Sequence, residues 1–483
     1  MAIMDCAKLE IIPPSSFLTS RNPVDPLPLP PELTSQIFVY AYLERLQKDG
    51  HWRRRSLPIE LGWICRSWRG FAWSMPELWS TVVLRLGNTK GDKIDVIHLT
   101  LLREWLSRAR SHKLEIYLET MDGVDFLQPP FETLHLLKEY HAQWGAIYLR
   151  IPAWWCKVLG GANTKLPFPN LRSILFDGDH LQTSAFGGPC PLDLTNAPLL
   201  TRLTLGNFAL LDSNENLKLP LEQITHIDTT KIDLMQHLSL FPKLMEIRFK
   251  NVQPVRFGGQ QPNIMHPKIR SLYLHFLHES DANRFLAVLF APAVKTLGLD
   301  ITGKSRDFMM DTISPFIDRS QCRLTHLYVR FNINDFGDEQ DLIEFLATLP
   351  ELKELRIRDP FRSSVGLSHI FFDVLSPFYI SHQPYLPLLE SLSYEGPLWL
   401  KPQDFLQPLI LRATLHEDGV NGSDQVALVV LKKVRITADL YEDEEELHTP
   451  CSPLIHTFHT NLQDLVGRKV FELTNRDGTW WRL

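Results

Sequence analysis

Apolar residues return along most of the chain in one short pattern: an apolar residue, two others, a second apolar residue, any residue and a third apolar residue. Neighbouring copies begin 20 to 42 residues apart, mostly 24 to 30. Ten full copies begin at Trp144, Leu171, Leu200, Leu244, Ile269, Val294, Leu324, Leu352, Leu389 and Leu431, and a partial copy begins at Ile224. The last three positions of each copy predict a strand whose alternate side chains point into a core. A single unit cannot bury that apolar face, so the copies are expected to stack.

Two segments between the predicted strands carry apolar residues at helical spacing, Asp281–Phe290 and Asp341–Leu349. Alternation of strand and helix predicts parallel strands with the helices outside. The period is also that of leucine-rich repeats, roughly 20–29 residues. We therefore predict an α/β fold in which an irregular leucine-rich-repeat-like solenoid spans 86–440, with parallel strands inside and helices or loops outside. Chance recurrence in a leucine-rich chain is the alternative, which ten copies at similar spacing disfavour.

The two ends of the chain are patterned differently. Residues 13–31 contain seven prolines, which predict an extended, poorly ordered leader over 1–26. Apolar residues at helical spacing over 31–46 and again over 57–72 predict a small all-helical module within 27–85. The branched residues Thr81–Leu84 predict a strand that follows this module. At the other end, 441–483 is predicted to form an acidic loop, with Glu442–Glu446 at its centre, and a cap.

Composition narrows the possible partners. A net charge of −6 argues against a general binder of nucleic acid or of membrane surfaces, which would carry a basic excess. The six cysteines form no CxxC pair, so a reducing compartment is expected, the cytoplasm and/or the nucleus. The best apolar run, Phe285–Val294, is ten residues long and too short to span a bilayer.

Two motifs suggest chemistry without the context that the chemistry needs. Residues Gly298–Ser305 match the phosphate-loop pattern GxxxxGK[ST], but Leu299 and Ile301 are strand formers and Leu299 already belongs to a repeat copy. His456 and His459 could share one helix turn, but no third metal ligand lies near them in sequence. We therefore predict a chain that is not an enzyme and has no cofactor or metal; a nucleotide hydrolase built on 298–305 is the enzymatic alternative.

The N-terminal module resembles a known family. Leu29-Pro30-x-Glu32-Leu33-x-x-x-Ile37-Phe38 is similar to the opening of an F-box, and Ile64–Arg69, followed by Leu78-Trp79-Ser80, is similar to its closing half in fungal, basidiomycete-type members. Downstream pieces such as Phe168-Pro-Asn-Leu and Phe241-Pro-Lys-Leu also resemble these proteins, so the resemblance covers most of the chain. The insertion at 48–56 departs from the pattern by lengthening the connection between the two halves.

The resemblance implies a substrate receptor of an SCF-type cullin–RING ubiquitin ligase. Its F-box would bind the Skp-type adaptor, and its repeats would present an unknown protein substrate for ubiquitin-dependent degradation. A module of about 50 residues cannot bury all its large apolar side chains alone, which favours a docked partner. Closure of the module onto the first repeat is the alternative for these residues, and a scaffold that never delivers ubiquitin is the alternative function. Carried over residue by residue, the implied adaptor contacts are Leu29, Pro30, Leu33, Ile37, Phe38, Cys65, Trp68 and Trp79.

A speculative substrate surface follows from the arginines between the apolar positions of the repeats. Side chains at these positions can face solvent, where a stripe of guanidinium groups would attract an acidic or phosphorylated segment. Ordinary solvated residues are the alternative. The arginines concerned are Arg202, Arg248, Arg270, Arg330, Arg356 and Arg358.

Overall fold

The computed structural model describes most of the predicted elements. The chain divides into two compact units, the first ending at Tyr148 and the second beginning at Leu149. The described residues are 29–49, 57–86, 92–120, 129–152, 155–160, 166–177, 192–206, 217–230, 238–252, 264–276, 279–301, 312–330, 339–359, 366–377, 385–398, 400–414, 428–438 and 453–474.

The first unit begins with three helices and continues as strands that alternate with helices. Its elements are α1 (Pro31–Asp49), α2 (Leu57–Ile64), α3 (Arg66–Ser74), a 3-10 turn (Pro76–Trp79), β1 (Thr81–Leu86), α4 (Asp92–Ala109), β2 (Leu114–Thr120), α5 (Phe131–Glu139), a 3-10 turn (His141–Gln143) and β3 (Trp144–Arg150), within which the unit ends. Strand β1 pairs in parallel with β2, and Val82 lies opposite Ile116.

An aromatic cluster joins the helices of the first unit. The buried Phe38 ring of α1 meets the edges of Trp68 and Phe71 on α3, with ring centroids 4.9 and 5.8 Å away. Trp79 is buried too, and its indole Nε1 donates to the carbonyl of Ala72 at 2.9 Å. The ring contacts fix α1 against α3 by apolar burial, and the buried indole N–H of Trp79 is paired.

The single helical stretch predicted over 57–72 is in fact two helices. Cys65 interrupts it in extended conformation, with φ −159° and ψ 172°. Its Sγ accepts a hydrogen bond from the backbone N–H of Trp68 at 3.4 Å, so Cys65 caps the start of α3. Apolar spacing continues across this break, which is why the sequence pattern does not reveal it.

In the second unit, parallel strands follow one another across the sheet in chain order. They are β4 (Ser173–Phe176), β5 (Arg202–Leu205), β6 (His226–Thr229), β7 (Glu246–Val252), β8 (Ser271–Phe276), β9 (Thr296–Ile301), β10 (His326–Arg330), β11 (Glu354–Arg358), β12 (Ser391–Glu395), β13 (Lys433–Thr437) and β14 (Phe471–Thr474). Two short parallel pairs lie apart from this sheet: Leu192–Asp193 with Leu217–Lys218, and Ile264–Met265 with Leu289–Phe290.

Helices and turns connect these strands. The helices are α6 (Cys156–Gly160), α7 (Glu279–Val288), α8 (Ser314–Ser320), α9 (Glu339–Ala347), α10 (His369–Val374), α11 (Pro402–Ala413) and α12 (Pro453–Gly467), and Leu221–Gln223 forms a 3-10 turn. The predicted α/β class with a long parallel sheet is confirmed, and α7 and α9 fall on the two segments predicted as helical.

A proline turn leads into many of the strands. At Phe241-Pro242-Lys243-Leu244, the carbonyl of Phe241 accepts a hydrogen bond from the N–H of Leu244 at 3.0 Å, and Pro242 takes the second position of the turn, where its fixed φ is favourable. Equivalent bonds of 3.0 to 3.3 Å begin at Phe168, Ala197, Ala291, Leu349 and Leu386. The turn ends at the first apolar residue of each copy, so the next apolar positions enter the core in register.

Among the described strands β4–β14 of the second unit, two lie outside the predicted set of full copies. The partial copy at Ile224 forms a complete strand, β6, in which the buried Thr229 takes the third apolar position. The sheet also continues past residue 440, because β14 pairs in parallel with β13 and places Phe471 opposite Val434. The segment predicted as a loop and cap therefore contains the last described strand of the sheet.

Candidate functional site

Exposed apolar side chains are concentrated in the first three helices. Of the fifteen large apolar side chains exposed among the described residues, nine lie between residues 29 and 73. The second unit, more than twice as long, has four of them. The nine are Leu29, Leu33, Ile37, Tyr40, Leu43, Ile59, Trp63, Ile64 and Trp73. A monomeric protein rarely exposes a large contiguous apolar patch unless that surface binds a partner, so it matters which of these side chains share a face.

Helix geometry explains how these side chains come together on α1. Leu33, Ile37 and Tyr40 lie four and three residues apart, so they share one face of the helix. The opposite face carries Phe38 and packs on α3. Helix α1 is therefore apolar on two sides, of which only one is buried within the unit.

Helix α2 likewise has apolar side chains on a buried side and on an exposed side. Leu57 and Leu61 are buried, whereas Ile59 and Trp63, also four residues apart, are exposed. We call the exposed set Leu33, Ile37, Tyr40, Leu43, Ile59 and Trp63 the helical apolar surface.

The predicted adaptor residues separate into three groups. Leu29, Pro30, Leu33 and Ile37 are exposed. Cys65 and Trp68 are half-buried, the first as a helix cap and the second against Phe38. Phe38 and Trp79 lie in the interior, so they support the module but cannot face a partner.

Sequence reasoning missed four members of the helical apolar surface, Tyr40, Leu43, Ile59 and Trp63. The available signal was apolar residues at helical spacing on both faces of α1 and α2, which is more than one core-facing stripe needs.

The solvent-facing side of the second unit's sheet carries charged residues of both signs. Over β6–β12 the strands contain five Lys and Arg residues and five Asp and Glu residues, so their formal charges cancel. All five cations have a carboxylate partner: Arg248 with Glu246 at 2.6 Å, Lys250 with Asp228 at 2.7 Å, Arg330 with Asp300 at 2.8 Å, Arg356 with Glu354 at 2.6 Å and Arg358 with Glu395 at 2.9 Å.

Most arginines of the predicted stripe are therefore already paired with carboxylates, which the sequence hypothesis did not anticipate. Four of its six members, Arg248, Arg330, Arg356 and Arg358, are already paired with carboxylates. Arg202, on β5, and Arg270, just before β8, are exposed. An acidic ligand would have to displace existing partners at most of these positions, so the surface does not offer the free positive charge that the hypothesis needs.

One row of this surface is made of rings and guanidinium groups. Across five neighbouring strands the register places Arg248, Tyr273, Gly298, Tyr328 and Arg356 opposite one another in that order. The Arg248 guanidinium lies 4.4 Å from the centroid of the Tyr273 ring, and that of Arg356 lies 4.8 Å from the Tyr328 ring. We call this set the ring row.

The position of Gly298 in the ring row also bears on the phosphate-loop match at 298–305. Gly298 is a strand residue of β9, and the Tyr273 ring occupies the space where a side chain at this position would lie. The first glycine of the motif is thus in an extended strand and not in a loop that turns its amides inward. The rest of the match, residues 303–305, lies outside the described residues.

Other candidate motifs give little. The side chains of His456 and His459 and the acidic run 442–446 lie outside the described residues. Among the residues that the structure describes, no group of three His, Cys, Asp or Glu side chains could hold a metal ion. Burial raises the pKa of the Cys322 thiol to about 11, which leaves it protonated and unreactive at neutral pH.

None of the described helices combines the length and the apolar character needed to cross a bilayer. Comparison with known families and with curated proteins gives no match to this chain.

Proposed function

We propose that this chain is a substrate-recognition subunit of an SCF-type cullin–RING ubiquitin ligase. Its first three helices act as an F-box that docks on a Skp-type adaptor. The sheet of the second unit, a leucine-rich-repeat-like array, binds a target protein. Ubiquitin transfer belongs to other subunits, and this chain supplies proximity and orientation. Such a protein acts in the cytoplasm or the nucleus.

The helical apolar surface is the observation that supports the adaptor half of this proposal. Leu33, Ile37 and Tyr40 present an apolar stripe on a helix whose other face is already packed on α3. An apolar helix face of this kind is suited to a groove on a protein partner. Leucine and isoleucine side chains gain free energy when a partner removes them from water, and Tyr40 and Trp63 are of the types that most often dominate an interface.

The test is co-purification of the full chain with a Skp-type adaptor. The variant is Leu33→Ser/Ile37→Ser, because these side chains are 47% and 45% exposed and their loss leaves the core intact. The matched control is Leu240→Ser/Ile370→Ser in the second unit, where the same residue types are 42% and 46% exposed. Burial of each pair contributes about 2 kcal/mol when a partner covers it, which is about 30-fold in affinity.

We expect the wild type and the control to form a one-to-one complex and the Leu33/Ile37 variant to lose it. Equal binding by all three proteins would place the adaptor contact elsewhere, and no binding by the folded wild type would refute the F-box assignment. If the adaptor binds but a reconstituted ligase transfers no ubiquitin to proteins held by this chain, the scaffold alternative is correct.

A further inference from the structure

We propose that a row of unpaired cations along one edge of the sheet binds an acidic, extended segment of the target protein. This inference rests on the proposed function and deepens it, because it names the chemistry by which the second unit would recognise its target. The row lies where strands β7–β11 begin, and we call it the basic rim. Its members are Lys243, Lys268, Arg270, Lys295 and Lys353.

Backbone hydrogen bonds bring these residues together at one edge of the sheet. The residue immediately before each strand donates its N–H to the carbonyl of its counterpart in the preceding repeat. Arg270 donates to Met245 at 2.7 Å, Lys295 to Arg270 at 2.8 Å, Thr325 to Lys295 at 2.8 Å and Lys353 to Thr325 at 2.8 Å. Arg270, Lys295 and Lys353 therefore follow one another along the edge, with one uncharged residue, Thr325, between the last two.

Lys243 and Lys268 add further cations to the same edge. Each follows the proline of a turn that leads into a strand, Pro242 or Pro267. They occupy equivalent positions in neighbouring repeats, so they are separated by about one strand spacing, roughly 4.8 Å. The side chains of all five members of the basic rim are exposed.

The edge carries an excess of positive charge that the sheet surface lacks. Two residues flank the first apolar residue of each repeat, and in the five repeats that lead into β7–β11 six of these ten residues are Lys or Arg and one is acidic. The acidic residue, Glu351, pairs with the sixth cation, Arg323, at 2.9 Å. None of the five cations of the basic rim forms an ion pair within 4 Å among the described residues.

An anion would relieve the repulsion within this row. Like charges on neighbouring strands repel each other, so the free protein is destabilised by them. The row ends at Glu390, whose N–H donates to the carbonyl of Lys353 and whose carboxylate pairs with Lys432 at 2.9 Å. The unpaired positive charge is thus confined to five repeats of a chain whose net charge is −6. A local excess of this kind favours association with a partner of opposite charge.

The spread of the charges decides which anion fits. Four strand spacings, about 19 Å, separate the repeat of Lys243 from that of Lys353, and an extended segment of about six residues spans this distance. A single phosphate could reach only neighbouring members of the row. Four of the five cations are lysines, which lack the planar fork with which arginine holds a phosphate. Carboxylates distributed along a segment therefore match the basic rim better than one phosphorylated residue does.

The adjoining surface favours a polypeptide over a nucleic acid. Over β6–β12 the formal charges of the strands cancel, so the excess positive charge forms a line and not a broad patch. A nucleic-acid site typically has basic residues clustered over a whole face. An acidic protein segment needs no more than a line, since its charges lie along one chain.

The experiment measures the binding of labelled probes to the full chain by fluorescence anisotropy. The main probe is acetylated hexaglutamate. It is compared with hexaglutamine, with a hexaglutamine in which one residue is replaced by phosphoserine, and with an oligothymidylate of six nucleotides, all with the same label. We expect hexaglutamate to bind at least ten-fold more tightly than hexaglutamine and at least five-fold more tightly than the other two probes.

A triple variant locates the binding. Lys268→Gln/Arg270→Gln/Lys295→Gln removes three adjacent charges of the basic rim and is expected to weaken hexaglutamate binding about ten-fold. The same variant should have a urea midpoint equal to or above that of the wild type, because it removes repulsion and breaks no ion pair. A lower midpoint would mean that these cations stabilise the fold, and would overturn the argument that the row awaits an anion.

The matched control removes one arginine and two lysines elsewhere, all exposed and without an ion pair among the described residues. It is Arg103→Gln/Lys113→Gln/Lys157→Gln, which changes the net charge by the same amount. Hexaglutamate should bind this variant within two-fold of the wild type. An equal loss of affinity in both variants would show that the probe senses net charge only, and would overturn the proposal.

The other outcomes are equally decisive. Preference for the phosphoserine probe or for oligothymidylate would overturn the assignment of an acidic polypeptide. A ten-fold gain in hexaglutamate affinity on neutralising the chain's own acidic run, 442–446, would show that this run occupies the basic rim and that the target does not. Adaptor co-purification of the same proteins keeps the two proposals separate. A chain that binds the adaptor but not hexaglutamate refutes only the basic rim, and one that binds hexaglutamate but not the adaptor refutes only the F-box assignment.

Discussion

His266 places a titratable group where the other proline turns have apolar residues. Phe168 and Phe241 occupy the same position in their turns, immediately before the proline, and are buried. His266 is also buried, and its Nε2 donates to the carbonyl of Phe241 at 3.0 Å. Nδ1 has no hydrogen-bond partner among the described residues. The native state therefore holds the neutral imidazole, with its proton on Nε2.

Burial lowers the pKa of His266 from its ordinary value of 6.5, and the positive charge of Lys268 acts in the same direction. The hydrogen bond to the carbonyl of Phe241 opposes this shift without overcoming it. As the pH falls through 6.5, His266 binds a proton in the unfolded chain but not in the folded chain, where its pKa is lower. Stability that is fully present above 6.5 is therefore lost as the pH falls toward the folded-state pKa.

The size of this loss follows from one proton. In the window between the two pKa values, the free energy of unfolding falls by up to about 1.4 kcal/mol per pH unit. A His266→Phe variant removes the titration and restores the residue found in the equivalent turns. At pH 7.5 the variant loses the bond to the Phe241 carbonyl, at a cost of about 1 kcal/mol, and regains a similar amount by apolar burial.

The assay is urea unfolding of wild type and variant at pH 7.5 and 5.5. The two proteins should have similar free energies of unfolding at pH 7.5, whereas at pH 5.5 the variant should be more stable by up to about 1.4 kcal/mol. His369→Phe, the same change at an exposed site, serves as the control for nonspecific effects. If wild type and His266→Phe lose the same stability between the two pH values, His266 is not a source of acid sensitivity and this reasoning fails.

Further substitutions test the packing that positions the sheet. Gly366→Ala should destabilise the protein by about 2–4 kcal/mol, because Gly366 has φ +71° and a Cβ there would overlap the carbonyl oxygen of Pro397. Gly70→Ala, where a Cβ meets nothing within 4 Å in the exposed interior of α3, should instead stabilise by about 0.5–1 kcal/mol. Shifts of the same sign in urea midpoint would contradict this contrast. Arg412→Met should destabilise by about 2 kcal/mol, since the buried guanidinium donates to the carbonyls of Tyr385 and Leu386; an unchanged thermal midpoint would show that these bonds contribute nothing net.

The strand positions of the second unit could be predicted because each depends on residues close together in sequence. Ile269, Leu272 and Leu274 give the strand β8 and its buried face without knowledge of any other repeat. The pattern fails where a local substitution hides it. Thr229 takes an apolar position in β6, and Cys65 ends α2 while apolar spacing continues into α3.

The candidate site was less predictable, because its properties arise between elements. On α1, Ile37 and Phe38 are adjacent apolar residues, and only packing against α3 decides that Phe38 is buried and Ile37 exposed. Arg330 and Asp300 are thirty residues apart in sequence, and only the pairing of β9 with β10 makes them an ion pair. A sequence that shows six arginines does not show which of them are already neutralised.

Gly298 illustrates how register can change the meaning of a motif. Along the chain, Gly298 begins a match to a phosphate-binding loop; across the sheet, it lies between Tyr273 and Tyr328, and the Tyr273 ring covers it. The second description accounts for the absence of a side chain, since a Cβ would overlap the Tyr273 ring, and the first requires a loop where β9 is a strand. The two surfaces of the protein also call for different partners. The helical apolar surface gains from burial of its side chains, whereas on the sheet surface the cations of β6–β12 already have carboxylate partners and gain little from an acidic ligand.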